Sequence, residues 1–220
     1  MTFLTDGYEA PVGNVFHHPR DIAPDPWHIS LAYAIWYLLL GTSAAIHTGT
    51  DLSKEPGGGL GQPVFAVANG IVRYARDVIG SSWRNLLVIE HRDPDGAIRC
   101  SRYGHLLAFA PGLAPGIWVR RGQTVGWVGN AGGLFYPHLH FDIARGTLLV
   151  NNPTNWPGDN LRYVTDNYDN PEVVVRDEYP MADDPITQVV GLLQQSITIL
   201  QAEQPAPAPV PEPYPIFLRL

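Results

Sequence analysis

Residues 137–143 read Pro137-His138-Leu139-His140-Phe141-Asp142-Ile143, alternating polar and apolar side chains. In an extended chain, residues two apart share a face. The alternation predicts a β-strand that turns His138, His140 and Asp142 one way and Leu139, Phe141 and Ile143 the other. The apolar face calls for a core beneath it. The polar face gathers two imidazoles and a carboxylate, groups that bind metal ions or move protons.

Around this strand the composition favours β structure. The 220 residues include 22 glycines and 21 prolines, about a fifth of the chain, which points to many tight turns and few long helices. With 45% hydrophobic residues there is enough apolar surface for a full core. A net charge of −7 with 14 dispersed Lys and Arg speaks against a nucleic-acid or anionic-membrane surface, which needs clustered cations. Cys100 is the single cysteine, so no internal disulfide forms. Leu31–Leu40 is apolar but well short of the roughly 20 residues of a membrane helix, and it is read as a buried segment. Met1–Gly13 carries Asp6 and Glu9 where a secretory leader would be basic, so no leader is read there.

Taken in order, residues 1–41 read as an irregular extension punctuated by Pro11, Pro19, Pro24 and Pro26. His17, His18 and His28 are assigned to loops or surface, with the sharper alternative that the segment walls or covers a site downstream. From residue 42 short β-type runs follow. Val64–Ala68 and Ile71–Ala75 around Asn69-Gly70 predict a two-residue hairpin. Asn85–His91 and Ala97–Tyr103 around Asp93-Pro-Asp-Gly96 predict a second, with a longer loop. Trp118–Arg120 and Gln123–Val128 add strands, and Gly129–Gly133 leads into the opening stretch. The block reads as an antiparallel sheet or sandwich. After residue 176, Asp184 and Pro185 would start an amphipathic helix through Leu200, and the alternating prolines of 204–215 read as a semi-rigid tether. Helix and tail together would offer a surface to a protein partner.

Chemistry concentrates in the middle block. His47-Thr-Gly-Thr-Asp51 sets an imidazole and a carboxylate four apart, with Gly49 expected to supply the bend that lets them converge. Joined by His140 they make two nitrogens and one oxygen, the three-ligand set that leaves a coordination position of Zn²⁺ open for water. His91 is read as a strand-end histidine bonded near a hairpin turn. Tyr103, Trp83, Trp118 and Trp127 are read as core or groove-wall aromatics.

The motifs His47-x-Gly-x-Asp51, Gly61–Gly70, Tyr103-Gly-His105-Leu, Gly122-Gln123 with Gly126-x-x-Gly-Asn130, and Pro137-His-Leu-His-Phe141 resemble those of the lysostaphin/LytM-type zinc metallopeptidases, peptidase family M23. The resemblance covers residues 42–150. It implies a mainly β fold of the LytM (duplicated hybrid motif) type, one Zn²⁺ on His47, Asp51 and His140, and His105 and His138 as the non-ligand catalytic pair. It further implies an endopeptidase of bacterial peptidoglycan peptides, working at the cell wall or in the periplasm. Two departures stand out: Tyr136 replaces the usual Gly before the Pro-His-x-His run, and Asp142 replaces the usual Glu. Asp142 is expected to face solvent, with support of a metal ligand from behind as the alternative. The rival readings are a binding or activating module of the same fold, set against by the intact site residues, and a structural zinc domain closed by four protein ligands, often cysteines, set against by the single cysteine.

Overall fold

The computed structural model describes residues 5, 7–13, 27–39, 41 and 43–177. The expected helix from Asp184 and the proline-rich tail lie outside the described residues, as do His17 and His18.

The chain is mainly β, as expected. In chain order its strands are β1 (Trp27–Leu31), β2 (Trp36–Leu39), β3 (Ser43–Ile46), β4 (Thr50–Lys54), β5 (Pro63–Phe65), β6 (Gly70–Val78), β7 (Arg84–Arg92), β8 (Ile98–Leu106), β9 (Ala108–Phe109), β10 (Trp118–Val119), β11 (Thr124–Trp127), β12 (Leu139–Arg145) and β13 (Tyr168–Asp169). Short helices α1 (Leu148–Asn151), α2 (Leu161–Asn167) and α3 (Pro171–Asp177) follow β12. The main antiparallel sheet runs β1-β4-β12-β8-β7-β6-β10, with β13 beside β12, and a small sheet runs β5-β11-β9. One apolar cluster joins the two, with Leu139, Phe141 and Ile143 of β12 fully buried in it. A second cluster, holding Val88, Cys100, Ala144 and Leu149, covers the opposite face of the main sheet. Both faces of β12 are therefore covered at its Asp142–Ala144 end, whereas His138 and His140 line a cavity.

Three expectations are corrected. Residues 27–39, read as irregular, contain two strands, and β1 pairs antiparallel with β4 at the edge of the main sheet. Within the same segment Ile35, Trp36 and Leu38 are 47%, 56% and 52% exposed, because β2 and β3 pair only with each other and leave one side without a covering layer. The third correction concerns Asn69-Gly70, which does not close a hairpin: β5 pairs with β11, while β6 pairs with β7 and β10. Ala66, Val67 and Ala68 are fully buried and carry the chain from one sheet to the other. Gly70 serves close approach, since a Cβ there would lie 2.5 Å from the Glu90 carbonyl oxygen. The second hairpin forms as expected, with Arg92 opposite Ile98 and Asn85 opposite Leu106.

His91 is a structural residue of that hairpin. Its Nδ1–H donates to the Asn69 carbonyl at 2.9 Å, and Nε2 lies 2.7 Å from Ser101 Oγ. Burial pushes its pKa down to about 4, against the smaller opposing effects of the Asn69 bond and nearby carboxylates. A histidine depressed in the folded state is neutral there, so its contribution is complete above about pH 6.5 and is lost as pH falls toward 4. Linkage then predicts loss of about 3 kcal/mol across that window. Urea unfolding at pH 7, 5.5 and 4 tests this: His91→Asn keeps a donor for Asn69, and its stability should fall less steeply with acid than that of the wild type.

Candidate active site

The sheet order brings the candidate residues together. β12 lies between β4 and β8, and His140 stands opposite Asp51 on one side and Gly104 on the other. His47 sits in the short turn between β3 and β4. Its Nε2 lies 3.1 Å from Asp51 Oδ1 and 3.0 Å from His140 Nδ1, and His140 Nδ1 lies 3.1 Å from Asp51 Oδ1. Three donor atoms thus form a nearly equilateral triangle.

The protons show what this triangle is for. His47 Nδ1 lies 3.1 Å from the Ala32 carbonyl, which can only accept, so Nδ1 carries hydrogen and Nε2 presents a lone pair. His140 Nε2 lies 3.0 Å from Asp142 Oδ2, so Nδ1 presents a lone pair. Two imidazole lone pairs and a carboxylate oxygen then point at one another, an arrangement that repels unless a cation sits among them. Tetrahedral Zn²⁺ with N and O ligands at about 2.0–2.1 Å keeps its ligand atoms about 3.3–3.4 Å apart, so the triangle fits after opening by a few tenths of an ångström. Among the described residues, His47, Asp51 and His140 are the group that could hold a metal ion. Burial alone would raise the Asp51 carboxyl, but the facing His47 and His140 rings hold it well below the usual carboxylate range. With no cation in the triangle a proton on His140 Nδ1 takes its place: burial opposes charge on His140, and its bonds to Asp142 and Asp51 outweigh this and raise its pKa.

Asp142 follows the alternative of its two readings, support of a ligand from behind, and not the solvent-facing one. It is fully buried rather than solvent-facing, and it accepts from His140 on one side and from Arg102 on the other. Burial would raise its pKa, and the Arg102 charge brings it instead to about 2.

His105 is aimed by an irregularity in its strand. Between the pairs Asn85 to Leu106 and Leu87 to Tyr103, β8 carries one residue more than β7, and His105 sits in this bulge at φ +61°. Bulges beside active sites re-aim side chains in this way. His105 Nδ1–H donates to the Ser82 carbonyl at 2.8 Å, leaving the Nε2 lone pair free. Burial, with the neighbouring His138 and His140, pushes its pKa down to about 3. His138 donates from Nδ1 to the Tyr136 carbonyl at 2.8 Å and sets Nε2 3.7 Å from Asp51 Oδ2. The His105 and His138 rings are 4.8 Å apart.

These groups floor a cavity of about 460 Å³ whose walls include Leu31, Tyr37, Trp83, Phe135 and Trp156. Leu31, Tyr37, Leu38 and Gly41 wall the groove, as the sharper reading of the N-terminal region has it for this part of the segment. Trp83, expected in the core or a groove wall, stacks on His105 with ring centroids 5.9 Å apart. Arg102, Thr48 and Trp156 escaped the sequence reading. Strand alternation is the signal for Arg102, since two residues before Gly104 it stands on the same face of the sheet as His140 and Asp142.

Residues 45–152 match the sequence model of the family described as Peptidase family M23. This stretch is an M23 peptidase domain. Over 103 residues, 46% of this chain, the sequence is 35% identical to the peptidoglycan DD-endopeptidase ShyA of Vibrio cholerae, covering 21% of that protein. Over 121 residues, 52% of this chain, it is 31% identical to the L-Ala--D-Glu endopeptidase of Bacillus subtilis, covering 33% of it. The chain thus spans a third or less of these relatives. Among solved structures, lysostaphin from Staphylococcus simulans shares the fold, with a TM-score of 0.50 and 21% identity over 73% of this chain and 55% of that one. No helix among the described residues is long and apolar enough to cross a membrane.

Proposed function

We propose that this M23 domain is a zinc-dependent endopeptidase that hydrolyses peptide bonds in bacterial peptidoglycan, acting at the cell wall or in the periplasm. The observation that carries the reading is the convergence of three lone pairs, from His47, Asp51 and His140, beside two further imidazoles in an open cavity. The peptidoglycan substrate is carried over from what the relatives are named for.

His47 Nε2, Asp51 and His140 Nδ1 would hold the ion, three protein ligands with room left for a water. When bound, zinc supplies Lewis acidity and brings the pKa of a water near 7. The surrounding residues do the rest. His105, its Nδ1–H held on the Ser82 carbonyl and its Nε2 lone pair free, accepts the proton from the attacking water as the new C–O bond forms. His138, its ring fixed on the Tyr136 carbonyl and 4.8 Å from that of His105, takes up this proton from His105 and hands it to the leaving amine as the C–N bond breaks, which returns both rings to their starting state. The aromatic walls exclude bulk water and strengthen each polar contact.

The test is metal content followed by chemistry. The purified protein should carry about one zinc per chain. It should release new amino termini from sacculi, stop after chelation, and resume when zinc is restored. Zinc binding without new amino termini from any sacculus type would overturn the enzyme reading in favour of a binding module.

A further inference from the structure

We propose that Arg102 is the positioning residue of this site, one buried guanidinium that fixes a metal-binding histidine, a proton-accepting histidine and a groove wall at once. The proposal rests on the functional reading above. Arg102 is fully buried in the middle of β8, directly across from Asp142 in β12. Taking a cation out of water is costly, and only thorough hydrogen bonding makes it tolerable.

Here all five N–H groups of the fork find acceptors. Nε and Nη2 both donate to Asp142, and Nη2 also reaches Thr48 Oγ1 at 3.2 Å. Nη1 donates to the Pro153 carbonyl at 3.1 Å and the Asn155 carbonyl at 2.8 Å. Each partner leads into the site. Asp142 accepts from His140 Nε2, the bond that turns Nδ1 toward His47 and Asp51. Thr48 adjoins His47 and donates to Asp142 Oδ2 at 2.7 Å. Pro153 and Asn155 lie in the turn just before Trp156, which lines the cavity.

The fourth connection runs through an aromatic face. The guanidinium lies 4.1 Å from the Trp83 ring centroid, within cation–π range. Trp83 in turn stacks near parallel, at 17°, on His105. Gly104 makes room for this, because a Cβ there would sit 3.0 Å from the Trp83 ring. A lysine would keep the charge yet lose the planar fork that serves Asp142, Thr48 and two carbonyls together.

A buried ion pair that only stabilises the fold predicts otherwise, and three variants separate the two. Arg102→Lys, Asp142→Asn and the double variant Arg102→Met with Asp142→Leu are compared with wild type. Thermal unfolding of the zinc-free proteins reads stability, and the double variant is expected to fold, since apolar replacement of both partners is often neutral. Competition with a zinc chelator reads affinity, and the visible spectrum of the Co²⁺-loaded proteins reads ligand geometry. Positioning by Arg102 predicts zinc affinity lowered about 10–100-fold in all three variants, with an altered Co²⁺ spectrum and kcat reduced more than KM. Wild-type affinity, spectrum and kcat in Arg102→Lys, or in a folded double variant, would overturn the proposal while leaving the functional reading intact. A wild-type protein that binds neither Zn²⁺ nor Co²⁺ would overturn both.

Discussion

His140→Ala is expected to abolish zinc binding and hydrolysis together, whereas His105→Asn is expected to keep the zinc and lose about 10²–10⁴ of kcat. The difference follows from what each ring faces. His140 Nδ1 is one corner of the triangle with His47 Nε2 and Asp51 Oδ1, and its loss leaves two donors where three are needed. His105 is no part of the triangle; its ring centroid lies 6.0 Å from that of His140, and its Nε2 is free. Asparagine suits position 105 because the backbone there is left-handed, a conformation asparagine adopts more readily than most residues. Stability should therefore stay close to wild type. His138→Ala should resemble His105→Asn in zinc content, since His138 Nε2 approaches only the outer oxygen of Asp51, at 3.7 Å. Zinc stoichiometry beside release of amino termini from sacculi checks all three. Turnover by His105→Asn within about threefold of wild type would remove His105 from the role of proton acceptor.

Much of this division was legible in the chain because it depends on short-range periodicity. The i, i+2 rule puts His138 and His140 on one side of a strand, and four-residue spacing brings His47 and Asp51 to one turn. What periodicity cannot supply is which strand lies beside which. Asp142 reads as solvent-facing in isolation, and only the placement of β8 against β12 makes it the buried partner of Arg102. Asn69-Gly70 carries a strong local hairpin signal, yet Ala66–Ala68 cross between sheets because burying them there satisfies the shared core. Ile35, Trp36 and Leu38 read as interior by hydropathy, while their strand pairs in a separate two-stranded ribbon and leaves them exposed. The orientation of His105 rests on a bulge and a positive φ that no residue type announces.

Gly49 shows the same contrast between right position and wrong reason, and its replacement should be the most damaging single change to the fold. The glycine was expected to supply an unusual bend, but its φ is not in the left-handed range. Its function is proximity. A Cβ at 49 would lie 2.1 Å from the Phe141 carbonyl oxygen, 2.4 Å from Asp142 Cβ and 2.8 Å from Asp142 Cα. These are backbone atoms and a Cβ of the central strand, so no side-chain rotation relieves the clash. Relief requires β4 to back away from β12, which pulls Asp51 from His140 and Thr48 from Asp142. Gly49→Ala is therefore expected to cost about 3 kcal/mol or more, beyond the usual range for overpacking. In a chain of this size that lowers Tm by about 10 °C, if the protein folds at all. Gly80→Ala is the control, at φ +81° with nothing within 4 Å of the added methyl, where the cost is conformational and about 1 kcal/mol. Thermal unfolding of the two zinc-free variants side by side decides the matter. Equal Tm values would mean that β4 does not approach β12 closely enough to require glycine, and that the metal-binding triangle tolerates more play than its 3.0–3.1 Å sides imply.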